Sequence, residues 1–160
     1  MSGEKACALG LGIVFTVIGI AGFIPDLVSL PDVAGSVAPI TADEIPATVG
    51  ADYGAAYLRG FGYLFGLFPT NLLHNIVHLA VGVFGLYSAT GERGAFNYNR
   101  FFAISYLGLA VLGLIPAANT LFGIMPIFGN NVWFNGVTGI IAAYYAFVAH
   151  KSDVDADVAV

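Results

Sequence analysis

Charge is what this sequence has least of. Only 9% of its residues are Asp, Glu, Lys or Arg, against about 25% in ordinary soluble domains. A soluble chain this poor in charge cannot cover its own surface, so a bilayer is the expected solvent. Five Lys and Arg in all, spread along the chain, build no basic patch, and nucleic-acid binding needs one. Cys7 is the single cysteine, which excludes an internal disulfide and leaves the redox compartment open. At the head of an apolar run, Cys7 reads as a small buried residue rather than an acylation site. The long apolar runs contain no Asp or Glu. That removes intramembrane carboxylate chemistry, and no catalytic motif stands elsewhere, so no enzyme is expected.

What the chain has is apolar residues, 58% of the total, with a mean hydropathy of +0.85. Four runs approach the ~20 helical residues that cross a bilayer core: about 6–24, 70–88, 101–117 and 132–149. The expectation is an all-α fold, a four-helix transmembrane bundle occupying residues 1–150. The first run follows Lys5 but has no small-x-small cleavage site before Pro25, so it reads as a retained span. In a four-span arrangement Lys5, Arg93, Arg100 and Lys151 share one side and Arg59 lies on the other. The positive-inside rule then puts both termini on the cytoplasmic side of a bacterial inner or thylakoid-type membrane. Residues 25–52 form an extramembrane loop bearing Asp26, Asp32, Asp43, Glu44 and Asp52. Residues 53–69, rich in aromatics and glycine, are expected to form a short interfacial helix before the second span. The tail 151–160 is acidic, lacks aromatics and is expected to be disordered.

Two halves of the sequence align without a gap. Residues 64–89, "LFGLFPTNLLHNIVHLAVGVFGLYSA", lie over 121–146, "LFGIMPIFGNNVWFNGVTGIIAAYYA", at an offset of 57. The identities include Leu64/Leu121, Phe65/Phe122, Gly66/Gly123, Pro69/Pro126 and Gly82/Gly139. The first and third runs end alike, "GFIP" against "GLIP". The expectation is two parallel two-helix repeats about an axis along the membrane normal.

The polar residues of the spans fall on a stripe. Asn71, His74, Asn75 and His78 occupy i, i+3, i+4 and i+7 of the second span, one helix face. Asn131, Asn135 and Thr138 do the same on the fourth, with Asn131 aligned to His74 and Asn135 to His78. Unpaired polar groups in hydrocarbon cost several kcal/mol, so both stripes are expected to face protein. Interhelical hydrogen bonding is the plainest reading. The alternatives are ligand chemistry at His74 and His78, or proton transfer between them. Two histidines four apart chelate a metal ion in helical sites, and one imidazole suffices for a haem or chlorophyll. No carboxylate or cysteine completes a metal set, and asparagine ligates zinc and copper poorly. Absence of any cofactor is therefore the default. His150 reads as an interfacial cap, Trp133 as an interfacial anchor, and Ala8, Gly12 and Thr16 as a close-packing row.

Residues 64–86 carry the pattern Phe-Gly-x-x-Pro-x-Asn-x-x-His-Asn-x-x-His. In this the chain resembles an uncharacterised family of small four-helix bacterial membrane proteins, known only as a domain of unknown function. The resemblance implies a four-span integral membrane protein and no particular reaction. Members of that family often have Asp and His where this chain has Asn131 and Asn135. A centre of three histidines and a carboxylate is thereby implied for them and lost here. The expected function is a non-enzymatic accessory or structural subunit of a membrane assembly. It would act among lipids with other subunits or as a homo-oligomer. A metal, haem or chlorophyll-binding module and a small oligomeric transporter are the alternatives.

Overall fold

The structure, a computed structural model, describes residues 1–29 and 61–149. Most of the acidic loop, Arg59, His150 and the C-terminal tail lie outside the described residues. Four helices dominate what is described. Helix α1 (Gly3–Ala21) is capped by Ser2, whose Oγ accepts from the Lys5 amide at 3.3 Å. It gives way to Gly22 and then Pro25, which has no amide proton to continue the ladder. Helix α2 (Leu72–Ser88) starts at Asn71, whose Oδ1 accepts from the His74 amide at 2.9 Å. That bond satisfies one of the four amides a helix start leaves bare. A turn at Gly91 leads to α3 (Glu92–Gly113), which stops ahead of Pro116. Helix α4 (Asn130–Ala143) continues into a wider-wound end over Tyr144–Ala149.

The fold is mostly helical rather than all-α. Strands β1 (Val28–Ser29), β2 (Gly62–Leu64) and β3 (Phe68–Thr70) form an antiparallel sheet in that order. Thus the segment 53–69, expected as an interfacial helix, is a β-hairpin from residue 61 onward, and its earlier part lies outside the described residues. The reason is local. Phe65 and Gly66 take left-handed φ values of 54° and 69°, which an L-residue helix does not tolerate in sequence. Pro69 withholds an amide proton that a helix there would need.

Helix α1 packs along α2, and α3 packs along α4. Glycine sets the first approach: a Cβ at Gly82 would lie 2.3 Å from the Thr16 amide nitrogen, and one at Gly12 2.6 Å from that of Leu86. The second pair approaches less closely, with a Cβ at Gly139 meeting the Leu107 side chain at 2.9 Å. Phe15 joins the two pairs at the centre. Its ring meets His78, Phe102 and Tyr106 edge-on at 5.1, 5.1 and 4.9 Å. At one end, Lys5 of α1 and Glu92 of α3 form an ion pair at 3.9 Å, so these two helices start on the same side.

Local hydrogen bonds recur along the chain. After α1, Phe23 and Ile24 donate to the Ile20 and Ala21 carbonyls; 91 residues later Leu114 and Ile115 donate to Val111 and Leu112. In the β-hairpin Gly66 and Leu67 donate to Tyr63 and Leu64; 57 residues later Gly123 and Ile124 donate to Thr120 and Leu121. Phe122 and Gly123 repeat the left-handed turn, at φ 58° and 87°.

Helices Gly3–Ala21 and Asn130–Ala149 are long and apolar enough to cross a membrane, and Leu72–Ser88 is a shorter apolar helix.

Candidate functional site

The polar stripes of α2 and α4 line the same two cavities, next to the β-hairpin and the 119–128 loop. Asn71 uses both ends of its amide: Oδ1 caps α2, and Nδ2 donates to the Ile124 carbonyl at 2.9 Å. Asn75, fully buried, donates to the Gly22 carbonyl at 2.7 Å and accepts from Thr70 Oγ1 at 2.6 Å. It thereby ties the end of α1 to the end of β3. Asn131 donates through Nδ2 to the carbonyls of Pro69 at 2.7 Å and Pro126 at 3.1 Å. Those two prolines occupy equivalent places in the aligned halves, so one amide bridges matching points of the two loops. Asn130 adds a bond from Nδ2 to the Leu67 carbonyl at 3.0 Å. This answers the Asn71 to Ile124 bond, because Leu67 and Ile124 also correspond.

His74 and His78 sit one turn apart on the same face, as i and i+4 must. Their Nε2 atoms are 3.0 Å apart and both rings are buried. One ring therefore donates to the other, each neutral imidazole having one proton to place. Nδ1 of His74 is buried without a hydrogen-bond partner. The Pro69 and Pro126 carbonyls lie beside that ring and both accept from Asn131.

The remaining predicted members are arranged differently. Asn135 is 3% exposed, and its side-chain amide bonds to no other described residue; it lines a small cavity with both histidines. Thr138 turns back on its own helix, donating to the Phe134 carbonyl at 2.7 Å, and makes no interhelical bond among the described residues. Sequence reasoning missed Thr70, Tyr106, Met125 and Asn130. Thr70 and Asn130 flank the stripes by one residue, a visible signal. Tyr106 and Met125 come from α3 and the 119–128 loop, and only the folded arrangement brings them to the histidines.

Geometry limits what the site accepts. Beside the histidines lies a cavity of about 50 Å³, walled by Ile18, Phe68, Pro69 and Phe134, whereas pockets for cofactor-sized molecules run about 300–1,000 Å³. Among the described residues no three His, Cys, Asp or Glu side chains converge on one point. What the arrangement does chemically is satisfy backbone carbonyls and hold the imidazole pair out of water.

No curated protein and no solved structure matches the chain. The model of one protein family matches residues 5–148, a span that takes in all four helices, the hairpin and both polar stripes, and the chain belongs to that family, the domain of unknown function DUF4383.

Proposed function

We propose that the chain is a four-span integral membrane protein without enzymatic activity, serving as an accessory or structural subunit of a membrane assembly. One observation carries this reading: four asparagines of the polar seam are spent on backbone carbonyls. Asn71, Asn75, Asn130 and Asn131 each donate to a carbonyl of another segment. Such bonds fix how the helices and loops sit against one another. The exterior supports a bilayer setting. Large apolar side chains stand outward on every helix, among them Val17, Phe84, Ile104 and Ile140 at 57%, 48%, 61% and 63% exposure. Polar inside and apolar outside is the pattern lipid imposes. Lys5 and Arg93 stand at the helix ends joined by the Lys5–Glu92 pair, which supports a cytoplasmic position for both termini.

The recurring hydrogen bonds support a duplicated two-helix hairpin. At the two offsets Thr16 corresponds to Leu107 and Gly82 to Gly139, and both pairs touch. Gly19 against Leu79 likewise corresponds to Ala110 against Gly136, with the glycine moved to the partner helix. The hairpins run parallel, and the first differs by 34 extra residues between Leu27 and Gly62.

Isolation from membranes in mild detergent tests the assignment. The expected result is a complex larger than the monomer with a fixed stoichiometry. A chain that is isolated alone, and that moves a solute across vesicle membranes, overturns it in favour of a small transporter.

A further inference from the structure

Two cavities share the histidine pair as lining, and several of their other wall residues correspond under the same residue offsets as the aligned halves. The first, about 50 Å³, is lined by Ile18, Phe68, Thr70 and Phe134 together with both histidines. The second, about 10 Å³, is lined by Leu109, Met125, Ile127 and Val77 with the same histidines. Ile18 corresponds to Leu109, Phe68 to Met125, Thr70 to Ile127, and Val77 to Phe134. The first cavity is walled mostly by hydrocarbon. In the second a thioether stands where the first has a phenyl ring, and Tyr106 and Asn135 join the wall.

We propose that this second cavity binds a monovalent soft metal ion, Cu(I), through Nε2 of His74, Nε2 of His78 and the thioether of Met125. The imidazole spacing suits an ion. With metal–nitrogen bonds of about 2.0 Å, the 3.0 Å separation corresponds to a bite angle of about 95°. A shift of a few tenths of an ångström opens that angle toward trigonal. The space suits an ion too, since about 10–15 Å³ holds one water-sized sphere.

The donor set selects the metal. Two imidazoles and a thioether are neutral and soft, the preference of Cu(I). Zinc and other divalent ions in closed sites draw on thiolate or carboxylate, and no such cluster exists among the described residues. Burial adds to this choice, because the desolvation cost of an ion rises with the square of its charge. The supporting shell is also present. With both Nε2 atoms bound to the ion, each imidazole proton resides on Nδ1. In His74 that atom is buried and unpartnered beside the Pro69 and Pro126 carbonyls, and metal-bound histidines commonly donate their other N–H to such a carbonyl. Binding therefore exchanges tautomers, releases no proton and involves no change of oxidation state. Cu(I) is a closed-shell ion, so the holoprotein is colourless.

The test is an anaerobic titration of the full chain in detergent with Cu(I), competed against a chromophoric Cu(I) chelator, with X-ray absorption on the product. One ion per chain is expected, with two nitrogen neighbours and one sulfur. Met125→Leu conserves side-chain volume and should lose the sulfur neighbour and weaken binding by more than about tenfold. His78→Gln should abolish stoichiometric binding, with circular dichroism reporting whether its helices remain. If the histidine variant unfolds, the methionine variant decides alone. Wild-type protein that takes up no Cu(I) overturns the proposal. So does uptake with the same affinity and the same scatterers in Met125→Leu, or equimolar Zn(II) displacing the ion. These readouts are independent of whether the chain is a subunit, so the two assignments stand or fall separately.

Discussion

Asn131 offers the sharpest test of the idea that the polar seam is structural. Its Nδ2 holds two carbonyls, at 2.7 and 3.1 Å, from loops 57 residues apart, and the residue is 2% exposed. Asn131→Ala removes both bonds and leaves Pro69 and Pro126 with buried acceptors. A buried polar group deprived of its partner costs about 1–3 kcal/mol. Interhelical hydrogen bonds in membranes average about 0.6 kcal/mol and reach about 1.7. Two bonds to a residue with almost no solvent access place the loss near the upper part of that range for each, about 2–3 kcal/mol in total. Asn135 is the internal control. It is as buried and lies one helical turn away, but its amide bonds to no other described residue. Asn135→Ala should cost less than about 1 kcal/mol, and relief of an unbonded amide offsets part of the lost packing. Reversible unfolding of the purified chain in mixed micelles, with helix content as the signal, measures both. If the two alanine variants lose the same stability, the bridging bonds do not hold the loops together and the reasoning fails.

Close helix approach gives a second prediction. Gly82→Leu places atoms where a Cβ alone would sit 2.3 Å from the Thr16 backbone, so α1 and α2 must separate; a fall in stability of more than about 3 kcal/mol is expected in the same assay. Gly123, at φ 87° with open space around it, tests strain without crowding: Gly123→Ala should cost about 1 kcal/mol, seen as a lower unfolding midpoint. In a Cys7→Ser background, a cysteine at Gly91 and one at Asp26 should react with a membrane-impermeant thiol reagent from opposite sides of sealed vesicles, and labelling from one side only would exclude the four-span topology. Asn135→His adds a third imidazole to the smaller cavity and should confer Zn(II) binding by competition titration; none would speak against the residue reaching His78.

Much of this arrangement is legible in the sequence, and the rest is hidden for physical reasons. Apolar runs expose the helices because each outward face needs a row of large apolar side chains. Helix bounds are less visible: α3 begins at Glu92, well before the apolar run that marks it, since polar residues such as Arg93 and Asn97 extend a helix equally well. The stripe through Asn71, His74, Asn75 and His78 is readable from 3.6-residue periodicity, and all four side chains are buried. The β-hairpin is not readable from periodicity. Its strands are three residues long, too short to display alternation, and the aromatic content that suggests an interface belongs to a turn. Gly66, between two short runs and ahead of Pro69, was the available signal for a left-handed turn. The seam was also expected to bond helix to helix, whereas Asn71, Asn75 and Asn131 bond to loops and helix ends. Backbone carbonyls outside regular helix or left over at a helix end need donors, and no side-chain pattern reveals their positions.

Under the duplicated-hairpin reading proposed above, the difference between the halves accounts for His74 and His78 having asparagine counterparts. In a strictly symmetric pair of hairpins, His74 and its counterpart would approach the Pro69 and Pro126 carbonyls from both sides of the axis. Two carbonyls so placed need donors, and a neutral imidazole has a single N–H. An asparagine amide has two hydrogens on one nitrogen, so Asn131 serves both acceptors at once and releases His74 from that duty. The freed ring turns its Nε2 to His78. With Asn135 rather than histidine at the remaining position, the pair lacks a third imidazole, and Met125, in the place of Phe68, brings a thioether to the lining of the smaller cavity. On this reading Asn131 completes the scaffold between the loops, and Asn135 lines the small cavity beside the imidazoles, where the proposed ion would sit.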